Sequence, residues 1–261
     1  MVSKYNGVPT VKLLGVREMP MIGLGTYARK AEPGQFRQAV EWGIEAGYRH
    51  IDTASCYKNE EEVGQGINNK IKEGLVTREE LFVTTKLWND RHAEDQVVDS
   101  LKESLARLNL DYVDLYLVHW PVSTNSKGED AEIDYMETWR GMEKCCELGL
   151  TKGIGVSNFN EEQLVRVFEN ATILPEVNQI EINPTFIQSE MVRLCGDLGI
   201  IPTQRGIPVI PKSFTKSRII ENFDIFDFEL TAKEMDFVSS FNINHRCVPA
   251  TAFKGLKNYP F

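Results

Sequence analysis

No stretch of this sequence is apolar enough to span a bilayer, which takes a run of ~20 residues. The opening MVSKYNGVPT also has no apolar centre of the kind a secretion signal carries. A cytoplasmic location is therefore expected. Paired cysteines are lacking as well. The five present, Cys56, Cys145, Cys146, Cys195 and Cys247, are odd in number and show no C-x-x-C spacing, which argues against a disulfide framework and a zinc site. Free thiols are expected, and the sequon at Asn170-Ala171-Thr172 is read as a chance match. An excess of positive charge is missing too. A net charge of -9 and a pI near 5.1 argue against DNA, RNA or anionic membranes as partners, since phosphate binding there rests on clustered Lys and Arg. No G-x-G-x-x-G occurs, because GLGTY (Gly23 to Tyr27) breaks the spacing after its second Gly, and this excludes a Rossmann site by motif. Finally, no H-x-x-H or carboxylate cluster of ligand spacing appears, so no metal is expected and a metal-dependent hydrolase or lyase has no support.

What remains is a chain that can build a sizeable core, with 42% hydrophobic and 26% charged residues. Its 261 residues suit one closed barrel with helices outside, and residues 1–261 are expected to form a single domain. Short β-branched and aromatic runs alternate with longer segments of helical period, the pattern of repeated strand-helix units around a parallel sheet. Strands are expected at 20–27, 48–54, 81–88, 113–120, 151–158, 176–183 and 207–213. Amphipathic segments lie between them, and several end on Gly or Asn, as helix C-termini often do. In QVVDSLKESLARL the apolar residues Val97, Leu101, Leu105 and Leu108 recur every three or four positions and form one stripe. Ahead of the first strand, TVKLLGVREMPMIG reads as two short strands and a turn, a hairpin plug over one barrel end.

In such a barrel the active site lies at the carboxyl ends of the strands. The polar residues there are Asp52, Lys86 and His119, with Tyr57 just beyond the second strand. Singly, each has an ordinary structural reading: a loop cap, an ion-pair partner, a satisfied core histidine and a packing ring. Together they describe a proton-donating device. A phenol has a reference pKa of ~10, too high for an efficient acid near neutrality, and a nearby cation lowers it. Lys86 supplies the charge, Asp52 holds the ammonium, and His119 orients a carbonyl oxygen beside the phenol.

At these residues the chain resembles the aldo-keto reductases. The pattern is carried by GYRHIDTASCYKNEEEVG, TTKLW, LDYVDLYLVHWP, GIGVSNF, PEVNQIEINP and IPVIPKSFTKSRIIENFDIFDFEL, in family order and nearly end to end. The resemblance implies a (β/α)₈ TIM barrel and NADPH-dependent reduction of aldehydes and ketones, an oxidoreductase of the alcohol dehydrogenase (NADP+) type. It makes Asp52, Tyr57, Lys86 and His119 the catalytic tetrad, with Tyr57 as the acid. It places Ser157, Asn158 and Gln179 at the carboxamide of the nicotinamide, and Thr26 and Asp52 among the cofactor contacts. PKSFTKSRIIEN concentrates cations and hydroxyls at a strand-to-helix junction of an acidic chain, which suits a phosphate monoester. The family comparison gives Lys212, Ser213, Thr215 and Arg218 to the 2′-phosphate and Glu221 with Asn222 to the adenine; Arg218 favours NADPH over NADH. Tyr27, Trp88 and Trp120 follow strands, where large aromatic faces can line an apolar pocket. In the family context they face substrate with His119, and the tail, residues 242–261, closes the pocket. Hydrophobic aldehydes or ketosteroids are the expected substrates, and a monomer the expected state. The alternative is an NADPH-binding barrel with a structural or regulatory role and little turnover.

One departure stands out at LGIIPTQRGIPVIPK (Leu198 to Lys212). Ile200 and Ile201 look like the start of a seventh strand, yet the last strand begins only a few residues later and no helix fits between. Family members carry there a strand with an aromatic residue that stacks on the nicotinamide, then a long loop and another helix. A unit of such a barrel takes ~30 residues. Either one unit has been lost or the 261 residues skip a stretch that the molecule contains. The second is the expectation, with a flexible stretch missing around Ile201 to Gln204; an intact mass of 29.7 kDa would contradict it. A direct join would leave an open sheet edge and an exposed apolar wall.

Overall fold

The computed structural model describes residues 5, 7–14, 17–202 and 208–261. Strands β1 (Thr10–Lys12) and β2 (Glu18–Pro20) pair antiparallel, with Leu13 and Met19 turned into the core. From the turn of this hairpin Arg17 donates to the carbonyl of Asp114 at 2.8 Å and forms an ion pair with Glu176. Both partners immediately precede barrel strands, so the hairpin closes the amino-terminal end of the barrel, as the sequence suggests.

The barrel wall is a seven-stranded parallel sheet in sequential order. It comprises β3 (Leu24–Gly25), β4 (His50–Asp52), β5 (Phe82–Leu87), β6 (Leu115–Val118), β7 (Ile154–Ser157), β8 (Val177–Gln179) and β9 (Ile201–Pro202). Every residue of β4, β5, β6 and β7 is buried, because crossover helices cover the outside while side chains fill the inside. Those helices are α1 (Gln35–Ala46), α2 (Glu60–Lys72), α3 (Glu94–Leu108), α4 (Tyr135–Glu147), α5 (Glu161–Asn170) and α6 (Ser189–Leu198). In α3 the stripe Val97, Leu101, Leu105 and Leu108 is buried, as its spacing requires. Beyond the sheet come α7 (Lys216–Phe223) and α8 (Ala232–Ser239).

Two strand expectations are corrected. The span 20–27 is divided: Pro20 belongs to the hairpin, and only Leu24–Gly25 joins the barrel sheet. In the span 207–213, residue 207 lies outside the described residues, and the rest forms no strand. Val209 makes one parallel bridge to Ile22, flanked by bonds from Gly23 N to Val209 O at 2.8 Å and from Gly25 N to Pro211 O at 2.9 Å. Pro208 and Pro211 have no N–H to give, so the ladder stops at a bridge. Gly25 permits this approach, since a Cβ there would sit 2.9 Å from the carbonyl oxygen of Ile210.

The expected missing stretch falls partly outside the described residues, at 203 and 204; Ile201 and Pro202 are described and form β9. Only residues 203–207 separate β9 from Pro208, too few for a parallel crossover of a dozen residues or more. Among the described residues no ladder joins β9 to Val209. Further along the chain α8 buries none of its residues, and Phe226, Phe228, Leu230, Phe237 and Phe241 are exposed.

Gly64 on α2 lies against the carboxyl end of α3, and a Cβ there would collide with the Leu108 carbonyl. Ala improves helix propensity by ~1 kcal/mol, but rigid backbone overlap costs ~1–3 kcal/mol. Gly64→Ala is therefore expected to lower the denaturation midpoint.

Candidate active site

The strand ends bring the four proposed catalytic residues together. β4 ends on Asp52, β5 carries Lys86 one residue before its end, and His119 follows β6. Tyr57 closes a single 3₁₀ turn, Ser55–Tyr57, that leaves β4. The Lys86 ammonium is fully buried and donates to Asp52 Oδ1 at 2.5 Å and to the Thr53 carbonyl at 2.9 Å. Its Nζ lies 3.5 Å from the Tyr57 hydroxyl. The rings of Tyr57 and His119 meet edge to face at 5.6 Å.

Burial raises the Tyr57 phenol to about 12, with Lys86 pulling the other way. The expectation of a lowered phenol is thus corrected: the cation acts in the anticipated direction, but desolvation outweighs it. For Lys86, burial opposes the charge, while Asp52 and Tyr57 outweigh burial and hold the ammonium above its ordinary value. Burial first, and then Lys86, push His119 well below the usual imidazole range, so the ring is neutral near pH 7.

Ser157, Asn158 and Gln179, expected at the carboxamide, join the same network. Gln179 Nε2 donates to Asp52 Oδ2 at 2.9 Å, and Ser157 Oγ donates to the Gln179 carbonyl at 2.8 Å. Asn158 Nδ2 donates to the His119 carbonyl and to Ser157 Oγ, each at 3.0 Å. Thr26 donates through Oγ1 to the Asp52 carbonyl at 2.9 Å. The residues expected at the 2′-phosphate and adenine, Lys212, Ser213, Thr215, Arg218, Glu221 and Asn222, form a separate group at the start and along the length of α7, and among the described residues no hydrogen bond links them to the four strand-end residues. Lys212 and Arg218 are exposed there, and neither pairs with a carboxylate among the described residues.

Aromatic side chains cover the mouth. Trp88 packs edge to face on His119 at 5.3 Å, Tyr27 lies 5.1 Å from Tyr57, and Trp120 is buried. The tail reaches this layer through Phe253, 6.0 Å from Trp88 and 5.5 Å from Trp120, and through Phe261, 5.9 Å from Trp120. A cavity of about 580 Å³ opens nearby between the amino ends of α5 and α6 and the tail, and it meets the site at Asn158 and at Phe261 of the aromatic layer.

Three supporting residues escape a reading by strand ends. Asn59 accepts from Thr53 Oγ1 at 2.9 Å and donates to the Thr26 carbonyl at 2.8 Å, tying the Tyr57 turn to the barrel. Buried Glu60 accepts from Thr85 at 2.6 Å and from Arg107 at 2.7 Å. Cys56 Sγ lies 3.5 Å from His119 Nδ1. The only signal for the first two is their place at the start of α2, where polar residues ordinarily cap.

A parallel barrel with a buried lysine-aspartate pair, a phenol and a neutral imidazole at its carboxyl strand ends has the layout of an acid-base enzyme site. Residues 21–204 match the model for the Aldo/keto reductase family, and the chain belongs to that family. The aldo-keto reductase AKR2E4 of Bombyx mori is 44% identical over 97% of this chain and 98% of its own length. Its crystal structure in complex with NADP superposes with a TM-score of 0.92 over 97% of this chain and 99% of that one. The aldo-keto reductase AKR2E5 complexed with NADPH is 37% identical, with a TM-score of 0.95 over 98% of this chain and 94% of that one. The alignment to AKR2E4 runs over 302 residues, more than the 261 of this chain, so that relative has residues without a counterpart here. Among the described residues no helix is long and apolar enough to cross a membrane.

Proposed function

We propose that this chain reduces aldehydes and ketones to alcohols with NADPH, using Tyr57 as the proton donor. The observation that carries the reading is the Lys86–Asp52 pair, fully buried and aimed at the Tyr57 hydroxyl beside a neutral imidazole. The bound dinucleotide supplies the hydride.

The residues present suit that group. Asn158 and Gln179 spend their amide N–H groups on the protein, and among the described residues their amide oxygens accept no hydrogen bond, which leaves acceptors for a carboxamide NH₂. Lys212 and Arg218, two cations without carboxylate partners in an acidic chain, suit a phosphate next to the amino end of α7.

The protein's part in the reaction follows from its geometry. His119, neutral, donates to the carbonyl oxygen and orients it. Tyr57 retains its proton at neutral pH and gives it to the oxygen as negative charge develops there. Lys86 then stabilises the phenolate, a charge present only late in the reaction, and Asp52 keeps the ammonium in position. Trp88, Trp120, Tyr27 and the tail's Phe253 exclude water and favour an apolar carbonyl compound such as a hydrophobic aldehyde or a ketosteroid.

A second reading, a cofactor-binding barrel with little turnover, is favoured by one observation: the chain has no counterpart for part of its relative, and the short connection after β9 has no room for a stacking aromatic strand and a helix. Fluorescence titration with NADPH and NADH tests the cofactor assignment. Arg218→Ala is expected to weaken NADPH by ~10-fold, the size of one charge-assisted contact, and to leave NADH nearly unchanged. Equal weakening of both would contradict the assignment of Arg218 to the 2′-phosphate.

A further inference from the structure

We propose that Cys56 is a positioning residue whose thiol donates a hydrogen bond to His119 Nδ1 and thereby keeps the imidazole proton on Nε2. The proposal rests on the reading above, in which His119 must donate to a substrate carbonyl.

Cys56 sits in the 3₁₀ turn with Tyr57, and the turn is fixed on both sides. Ser55 Oγ donates to the Lys86 carbonyl at 3.0 Å, and Asn59 anchors the far end to Thr26 and Thr53. His119 is equally fixed: its N–H donates to the Leu87 carbonyl at 3.2 Å, and its carbonyl accepts from Asn158. Tyr57 and Trp88 flank the ring edge to face, which leaves little freedom to flip. The Sγ···Nδ1 separation is 3.5 Å, and among the described residues no other group hydrogen-bonds to either ring nitrogen.

The direction of the bond follows from chemistry. Sulfur is a weak acceptor, whereas a bare imidazole nitrogen is a good one, so the thiol donates. The tautomer of a neutral imidazole is set by the partner of one nitrogen, which places the proton on the other. Burial pushes the Cys56 thiol up to about 12, so it keeps the proton it must donate throughout the working range. The same group is therefore a poor nucleophile, and a role in covalent chemistry does not suit it.

The test is ¹⁵N NMR of the histidine side chains in the cofactor-free protein near pH 7. The chain has four histidines, and His119 is assigned by the signal lost in His119→Asn. Wild type is expected to show His119 protonated at Nε2 and bare at Nδ1. In Cys56→Ala, and in Cys56→Val, which keeps the volume, the two tautomers are expected to mix. Carbonyl turnover should then fall about fivefold, the size of one neutral hydrogen bond, with the NADPH affinity unchanged. Cys56→Ser, which restores a donor, should recover most of both signals. A proton on Nδ1 in wild type, or an unchanged tautomer and rate in the Ala and Val variants, would overturn the proposal. The tautomer is read without turnover, so a protein with no reductase activity would refute the reading of the site while the NMR result still decides the role of Cys56.

Discussion

Tyr57→Phe is expected to lower carbonyl reduction by ~10²–10⁴-fold, the usual contribution of a positioned general acid, while NADPH binding stays close to wild type. The substitution removes one oxygen and little else. The Tyr57 ring keeps its contacts with Tyr27 and His119, and among the described residues the hydroxyl makes no hydrogen bond closer than the 3.5 Å approach of Lys86. Removing it relieves a desolvated phenol, so stability should hold or rise slightly. The loss belongs in the turnover number, because the proton moves only as the reaction proceeds. Stopped-flow reduction with saturating NADPH separates that effect from binding.

Lys86→Met is expected to damage stability as well as chemistry. The Lys86 side chain has no exposed surface and that of Asp52 has 4%, so removing the ammonium leaves a buried carboxylate held by Gln179 and little else. Breaking one partner of a buried pair costs ~3–5 kcal/mol, a fall in melting temperature on the order of 10 °C for a chain of this size. The sign with pH follows from the raised Lys86 value: the pair's contribution is present below its ordinary pKa of 10.5 and is lost as pH rises past that value through the folded one. The double variant Asp52→Leu with Lys86→Met removes both charges and should regain much of the stability but none of the turnover. A single variant as stable as wild type, by thermal denaturation, would contradict the buried-pair account.

Much of the site was legible because the fold makes strand ends special. Once alternating strands and helices imply a parallel barrel, Asp52, Lys86 and His119 are singled out by position, and the structure brings them together: Lys86 bonds to Asp52, and His119 meets the Tyr57 ring at 5.6 Å. Depth was not legible. The sequence gives the cation beside Tyr57 but not how completely the phenol is desolvated, so the balance of the two effects came out opposite. Supporting contacts escaped for a related reason: Asn59 and Cys56 act across the barrel on Thr26 and His119, and local sequence carries no trace of such long-range partners. Residues 208–213 form no strand despite an apolar content that resembles one, because Pro208 and Pro211 withhold the donors that a ladder needs. The irregularity after α6 is visible in the spacing alone, and among the described residues β9 pairs only with β8.

The measurement that bears most directly on the central claim is NADPH oxidation by the wild-type chain, followed at 340 nm, with a panel of hydrophobic aldehydes and ketosteroids. Turnover with at least one apolar carbonyl compound, dependent on NADPH, is the expected result. Tight NADPH binding without turnover on any member of the panel would contradict it and favour the cofactor-binding barrel instead.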